Sequence, residues 1–118
     1  MQQSGSSKEK DMHENSKYSV IITTCGTRES AEKIAGALLD QKLAACIQIF
    51  DVTSLYTWKG QVNKDNESLL LIKAKAELYN EIEECIRQNH TYEVPEIVQL
   101  PIVNGFSSYL QWISEVSK

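Results

Sequence analysis

The chain has 118 residues, with 12 Lys and Arg against 16 Asp and Glu, a net charge of −4. That length suits one domain, and the acidic balance excludes the basic surface on which non-specific binding to nucleic acid or anionic membranes depends. No apolar run approaches the roughly 20 residues of a membrane span, and the first residues carry no apolar core of a secretory signal, so the cytoplasm is the expected compartment.

Residues 1–17 contain almost nothing to bury and are expected to form a disordered tail, His13 included. The domain is expected over residues 18–118. It opens on Tyr18-Ser-Val-Ile-Ile-Thr-Thr-Cys25, whose β-branched residues predict a strand. Gly26-Thr27 interrupts it. Thr27 is placed to cap a helix over residues 28–41, with Glu29 in the first turn and Ala31, Ile34, Ala35, Leu38 and Leu39 on one face.

Residues 42–75 predict two long strands joined at Lys59-Gly60, where Gly60 supplies a positive φ. Apolar residues fall at odd positions from Leu43 to Ile49, then mostly at even positions: Phe50, Val52, Tyr56 and Trp58. Strand side chains alternate faces, so the apolar face changes sides, and a bulge near Ile49-Phe50-Asp51 is the expected device. The outer half of the hairpin then offers its apolar face to another copy of the chain.

A second helix is expected over residues 77–89, with Leu78, Ile82, Cys85 and Ile86 on one face. Residues 94–103 predict a last strand that lies at a sheet edge or starts and stops at Pro95 and Pro101, which cannot donate to a ladder. Ser107 or Ser108 is placed to cap a terminal helix that turns Tyr109, Trp112, Ile113 and Val116 inward. The order β-α-β-β-α-β plus a helix is that of an α+β, ferredoxin-like domain, with both main helices on one face of an antiparallel sheet and the other face bare. The cysteines Cys25, Cys46 and Cys85 are odd in number and form no Cys-x-x-Cys pair, which argues against a disulfide framework and a structural zinc site.

Five segments carry more than the fold: Lys42-Leu-Ala-Ala-Cys-Ile, Ser54-Leu-Tyr-Thr-Trp-Lys-Gly, Glu67-Ser-Leu-Leu-Leu-Ile-Lys, His90-Thr-Tyr-Glu-Val-Pro-Glu and Tyr109-Leu-Gln-Trp. In order and spacing they closely resemble the CutA divalent-cation-tolerance family, from about Tyr18 to the C-terminus. The resemblance implies a homotrimer, a role in tolerance to copper and other divalent cations, a likeness to PII-type signalling trimers, and no enzymatic activity. Two positions depart from the family's pattern, which usually has Pro where Thr91 and Gly26 stand here.

Cys25, His90 and Glu96 match the family's metal-binding region, and thiolate, imidazole and carboxylate suit copper or another divalent cation. The structural alternative is that Cys25 ends a buried strand while His90 caps the second helix. Trp58, Lys73, Tyr92, Tyr109 and Trp112 match further family positions that could line a cleft; packing is the alternative for the aromatic rings. Lys73 interrupts a buried-looking strand, and pairing with a carboxylate is the expected answer. A Cys25–His90 thiol–imidazole pair lacks a third orienting group and an oxyanion hole, so no enzyme is expected. Two other functions stay open: a PII-like trimer binding a small anionic metabolite between subunits, and an interaction scaffold without a ligand.

Overall fold

The computed structural model describes residues 16–118. The expected tail, with His13, lies outside the described residues, apart from Ser16 and Lys17. Strand β1 (Tyr18–Cys25) leads into helix α1 (Arg28–Asp40). Strands β2 (Cys46–Trp58) and β3 (Gln61–Lys75) form the long hairpin. A short 3-10 turn (Ala76–Leu78) precedes α2 (Tyr79–Asn89), followed by β4 (Ile97–Pro101) and α3 (Ser107–Val116). The strands lie in the order β2-β3-β1-β4 and every neighbouring pair is antiparallel. This is the ferredoxin-like arrangement, with β4 at an edge and ending at Pro101, which cannot donate to a ladder.

The helix ends follow from local chemistry. Thr27 is extended and its hydroxyl accepts from the Ser30 N–H at 3.0 Å, capping α1. At the other end Lys42 takes φ 57°, its N–H bonds Leu39, and Leu43 N–H bonds Leu38. These bonds are those of a Schellman closure, with a lysine where glycine is usual. The α3 expectation needs correcting: Phe106 occupies the N-cap, no side chain caps the helix, and Ser107 is its first residue.

One face of the sheet meets α1 and α2. Ile21, Leu70, Ile72 and Ala74 from the sheet pack with Ala31, Ile34 and Leu38 of α1 and Ile82, Cys85 and Ile86 of α2, all buried. Burying each large aliphatic side chain is worth roughly 1.5–3 kcal/mol, so this face dominates the domain's stability.

The expected bulge is absent. Pairing runs unbroken from Cys46 opposite Lys73 to Trp58 opposite Gln61. The change of apolar face therefore needs no backbone device. The strand's alternation places Ile47 and Ile49 toward the helices and Phe50, Val52, Tyr56 and Trp58 on the opposite face. That face is also not wholly bare. Ile113 of α3 is fully buried, Tyr18 and Ser114 hydroxyls are 2.7 Å apart, and Lys118 N–H donates to the Lys42 carbonyl at 3.0 Å. The C-terminal helix thus covers the end of the sheet near Tyr18 and Cys46. Of the four residues expected to turn inward, Ile113 alone is buried; Tyr109, Trp112 and Val116 remain over a third exposed, because the helix covers only one end of the sheet.

Beyond Ser68, level with Cys25 at the end of β1, the hairpin runs on as a two-stranded arm. Seven further residues of β3 carry it roughly 23 Å past its neighbours. Leu55 and Val62 on this arm are 69% and 78% exposed.

Candidate functional site

His90 follows α2 and reaches back to the end of β1, 65 residues away in sequence. Its Nε2 stands 2.8 Å from the Thr24 carbonyl, so this nitrogen carries the proton and donates. Its Nδ1 accepts the Tyr92 N–H at 3.1 Å. Two backbone groups thereby select one neutral tautomer. The Cys25 Sγ lies 3.8 Å from the same Nε2.

Tyr92 continues the chain of contacts. Its ring tilts against His90 with centroids 4.8 Å apart, and its hydroxyl donates to Glu67 Oε2 on β3 at 2.7 Å. Gly26 makes room for the ring: a Cβ there would stand 3.3 Å from the Tyr92 hydroxyl oxygen. A side chain at this position would oblige the tyrosine ring to shift by a few tenths of an ångström. Tyr56 on the arm donates likewise to Asp65. Burial, followed by the hydrogen bond to Glu67, pushes the Tyr92 phenol well above its ordinary range.

Cys25 is fully buried. Burial first, and the Glu67 charge second, raise its thiol from an ordinary 9.0 up to about 11. At neutral pH it is a thiol, not a thiolate.

The donor pair can be measured against a metal's needs. A thiolate and an imidazole on one tetrahedral ion stand about 3.5 Å apart, close to the observed 3.8 Å. Binding would still require the thiol to ionise and Nε2 to give up its proton and its bond to Thr24. Glu96 does not join them. It is exposed just before β4, and among the described residues no three His, Cys, Asp or Glu side chains gather as a ready metal site. Glu67 is the acidic neighbour that sequence reasoning missed. It sits inside a strand pattern that reads as plain alternation, and only the tertiary fold brings Tyr92 to it.

The remaining positions fall elsewhere. Lys73 projects from the face opposite α1 and α2, level with Cys46, and its ammonium bonds the Gln48 side-chain carbonyl, not a carboxylate. Tyr109 and Trp112 pack together on α3, centroids 5.6 Å apart, and burial with the adjacent Cys46 thiol pushes the Tyr109 phenol up. Trp58 stands at the arm's tip beneath the Lys59 ammonium, 5.9 Å from its ring centroid. Lys73 is opposite Val20 and Ser68 is opposite Cys25, so the Lys73 group and the His90 group are about 16 Å apart along the sheet. Within one chain they do not form one cleft. A separate recess of about 450 Å³ opens beside the His90 group, lined by Gly26, Thr27, Arg28, Asp51, Glu67 and Ser68 among others.

The profile of the family described as "CutA1 divalent ion tolerance protein" matches residues 19–116. The chain belongs to the CutA1 family. A CutA1 relative, the divalent-cation tolerance protein CutA of Thermus thermophilus, is 42% identical over 97 residues, 81% of this chain and 94% of that protein. The chloroplastic protein CutA of Arabidopsis thaliana is 38% identical over 100 residues, 84% of this chain but 55% of that protein. The chain thus spans little more than half the length of the plant relative. Among solved CutA1 structures, the periplasmic divalent cation tolerance protein of Archaeoglobus fulgidus superposes with a TM-score of 0.84 at 34% identity, covering 86% of this chain and 99% of that one. The Thermus and Archaeoglobus proteins are named for divalent cation tolerance. Among the described residues no helix is long and apolar enough to cross a membrane.

Proposed function

We propose that this CutA1 protein serves divalent-cation tolerance as a non-catalytic homotrimer, binding copper or another divalent cation at Cys25 and His90. Family membership supports the role. The observation that carries the site is the 3.8 Å approach of a soft sulfur to an imidazole nitrogen. Further donors would come from water or from a second copy of the chain. The three free cysteines suit a reducing compartment such as the cytoplasm. Cys25→Ala with His90→Ala is expected to abolish tight Cu(II) binding in isothermal titration without unfolding the protein. Unchanged affinity and stoichiometry would move the site elsewhere.

A second reading rests on the recess at the start of α1. Backbone N–H groups of a helix's first turn and the Arg28 guanidinium favour an anion there, which is the PII-like possibility, though Asp51 and Glu67 oppose it. Thermal-shift screening with metals and with small phosphates and carboxylates separates the two, since a ligand of the native state raises its melting temperature.

A further inference from the structure

We propose that Glu67 and Tyr92 form a latch that holds His90 over Cys25, making Tyr92 the positioning residue that controls access to the thiol. The inference rests on the metal-site reading only for its purpose; its geometry is independent. Four links run in series. Glu67 accepts from the Tyr92 hydroxyl at 2.7 Å. Tyr92 N–H donates to His90 Nδ1 at 3.1 Å. His90 Nε2 donates to Thr24 at 2.8 Å and lies 3.8 Å from the Cys25 sulfur. Cys25 itself has no exposed surface. His90 is half-buried against that sulfur, and it cannot swing away while its Nδ1 is bonded to the Tyr92 backbone and the Tyr92 side chain is tied to β3.

The latch is built to release. Within one chain its outer bond, Tyr92 to Glu67, lies at the surface, whereas Cys25 does not. The 450 Å³ recess shares Gly26 and Glu67 with it, so open volume adjoins the ring. Gly26 completes the device. The ring rests against a residue without a side chain, and a Cβ there would stand 3.3 Å from the hydroxyl oxygen and 3.6 Å from Cε1. Any side chain at Gly26 would crowd the ring that carries the bond to Glu67.

The test is residue-resolved alkylation by iodoacetamide, followed by peptide mass spectrometry at fixed pH. Cys85 serves as a buried control on α2. Tyr92→Phe keeps the ring, the charge and the backbone N–H and removes only the hydroxyl. A hydrogen bond to a charged acceptor is strong enough that its loss should speed Cys25 alkylation roughly tenfold, with Cys85 unchanged. Gly26→Ala should act in the same direction, less strongly. An unchanged Cys25 rate in Tyr92→Phe overturns the latch. So does a parallel rise at Cys25 and Cys85, which would mean general loosening. Cu(II) titration of Tyr92→Phe then separates the two proposals. Faster alkylation with unaltered Cu(II) binding keeps the latch and removes the metal from Cys25.

Discussion

At the residue scale the informative group is Cys25. A thiol raised to about 11 in the folded state and near 9 when unfolded links stability to alkaline pH. The unfolded thiol loses its proton first, so between pH 9 and 11 the unfolded state binds fewer protons and gains on the folded one. Stability conferred by the neutral buried thiol is whole below pH 9 and disappears as pH passes 11. Two units correspond to about 3 kcal/mol. Urea denaturation at pH 8.5 and 10.5 should show wild type losing about 2 kcal/mol more than Cys25→Ala. The same thiol predicts the pH dependence of metal capture. Any ion bound as thiolate displaces one proton, so Cu(II) affinity at Cys25 should rise about tenfold per pH unit between 7 and 9. Titration at three pH values checks the slope, and a flat profile would remove Cys25 from the ligand set.

At the element scale two backbone positions have strained occupants. Lys59 and Gly60 both take positive φ, 52° and 76°, the pattern of a type I′ turn whose twist matches the long strands it joins. Gly60→Val places a β-branched side chain at an unfavourable φ and should cost about 1–2 kcal/mol in denaturant midpoint experiments. Lys42 shows the converse. It holds the left-handed position that closes α1, so Lys42→Gly should stabilise the chain by about 0.5–1 kcal/mol. A loss of stability there would mean that the lysine side chain makes a contribution beyond the backbone turn.

At the scale of the whole molecule the arm dominates. A 15-residue strand spans close to the molecule's 47 Å long axis, and among the described residues the part past β1 is largely exposed. Phe50, Tyr56 and Trp58 on one face, with Leu55 on the other, are each more than 40% exposed. Monomeric domains rarely leave so continuous an apolar surface wet, and an uncovered two-stranded ribbon is marginal in water. Closed assembly covers both faces and protects the strand edges. Size-exclusion chromatography with light scattering should give a mass about three times 13.4 kDa, and Leu55→Asp with Trp58→Ala should dissociate it. A folded, cooperative monomer would sink the proposal and leave the arm's exposed residues unexplained.

The sequence by itself determined the elements and most of the residues that the sheet and its two main helices bury, though Leu39, Tyr109, Trp112 and Val116 were expected inward and are exposed. Alternation marked Ile21, Leu70 and Ile72, helical spacing marked Ile34, Leu38, Ile82 and Ile86, and Thr27 announced the start of α1, because these signals lie within a few residues of one another. Even the change of apolar face along β2 was legible in its residues; its cause was misread, since unbroken alternation does what a bulge was invoked to do. Tertiary structure decided the partners. Gln48 for Lys73, Thr24 for His90 and Glu67 for Tyr92 are each 25 or more residues distant in the chain. No local pattern specifies such pairs, because a side chain's hydrogen-bond partner depends on how strands register and where a loop returns. The sequence could therefore name Cys25 and His90 as neighbours by family likeness. Only the fold shows that both nitrogens of the imidazole are already engaged and that Glu67, through Tyr92, holds it there.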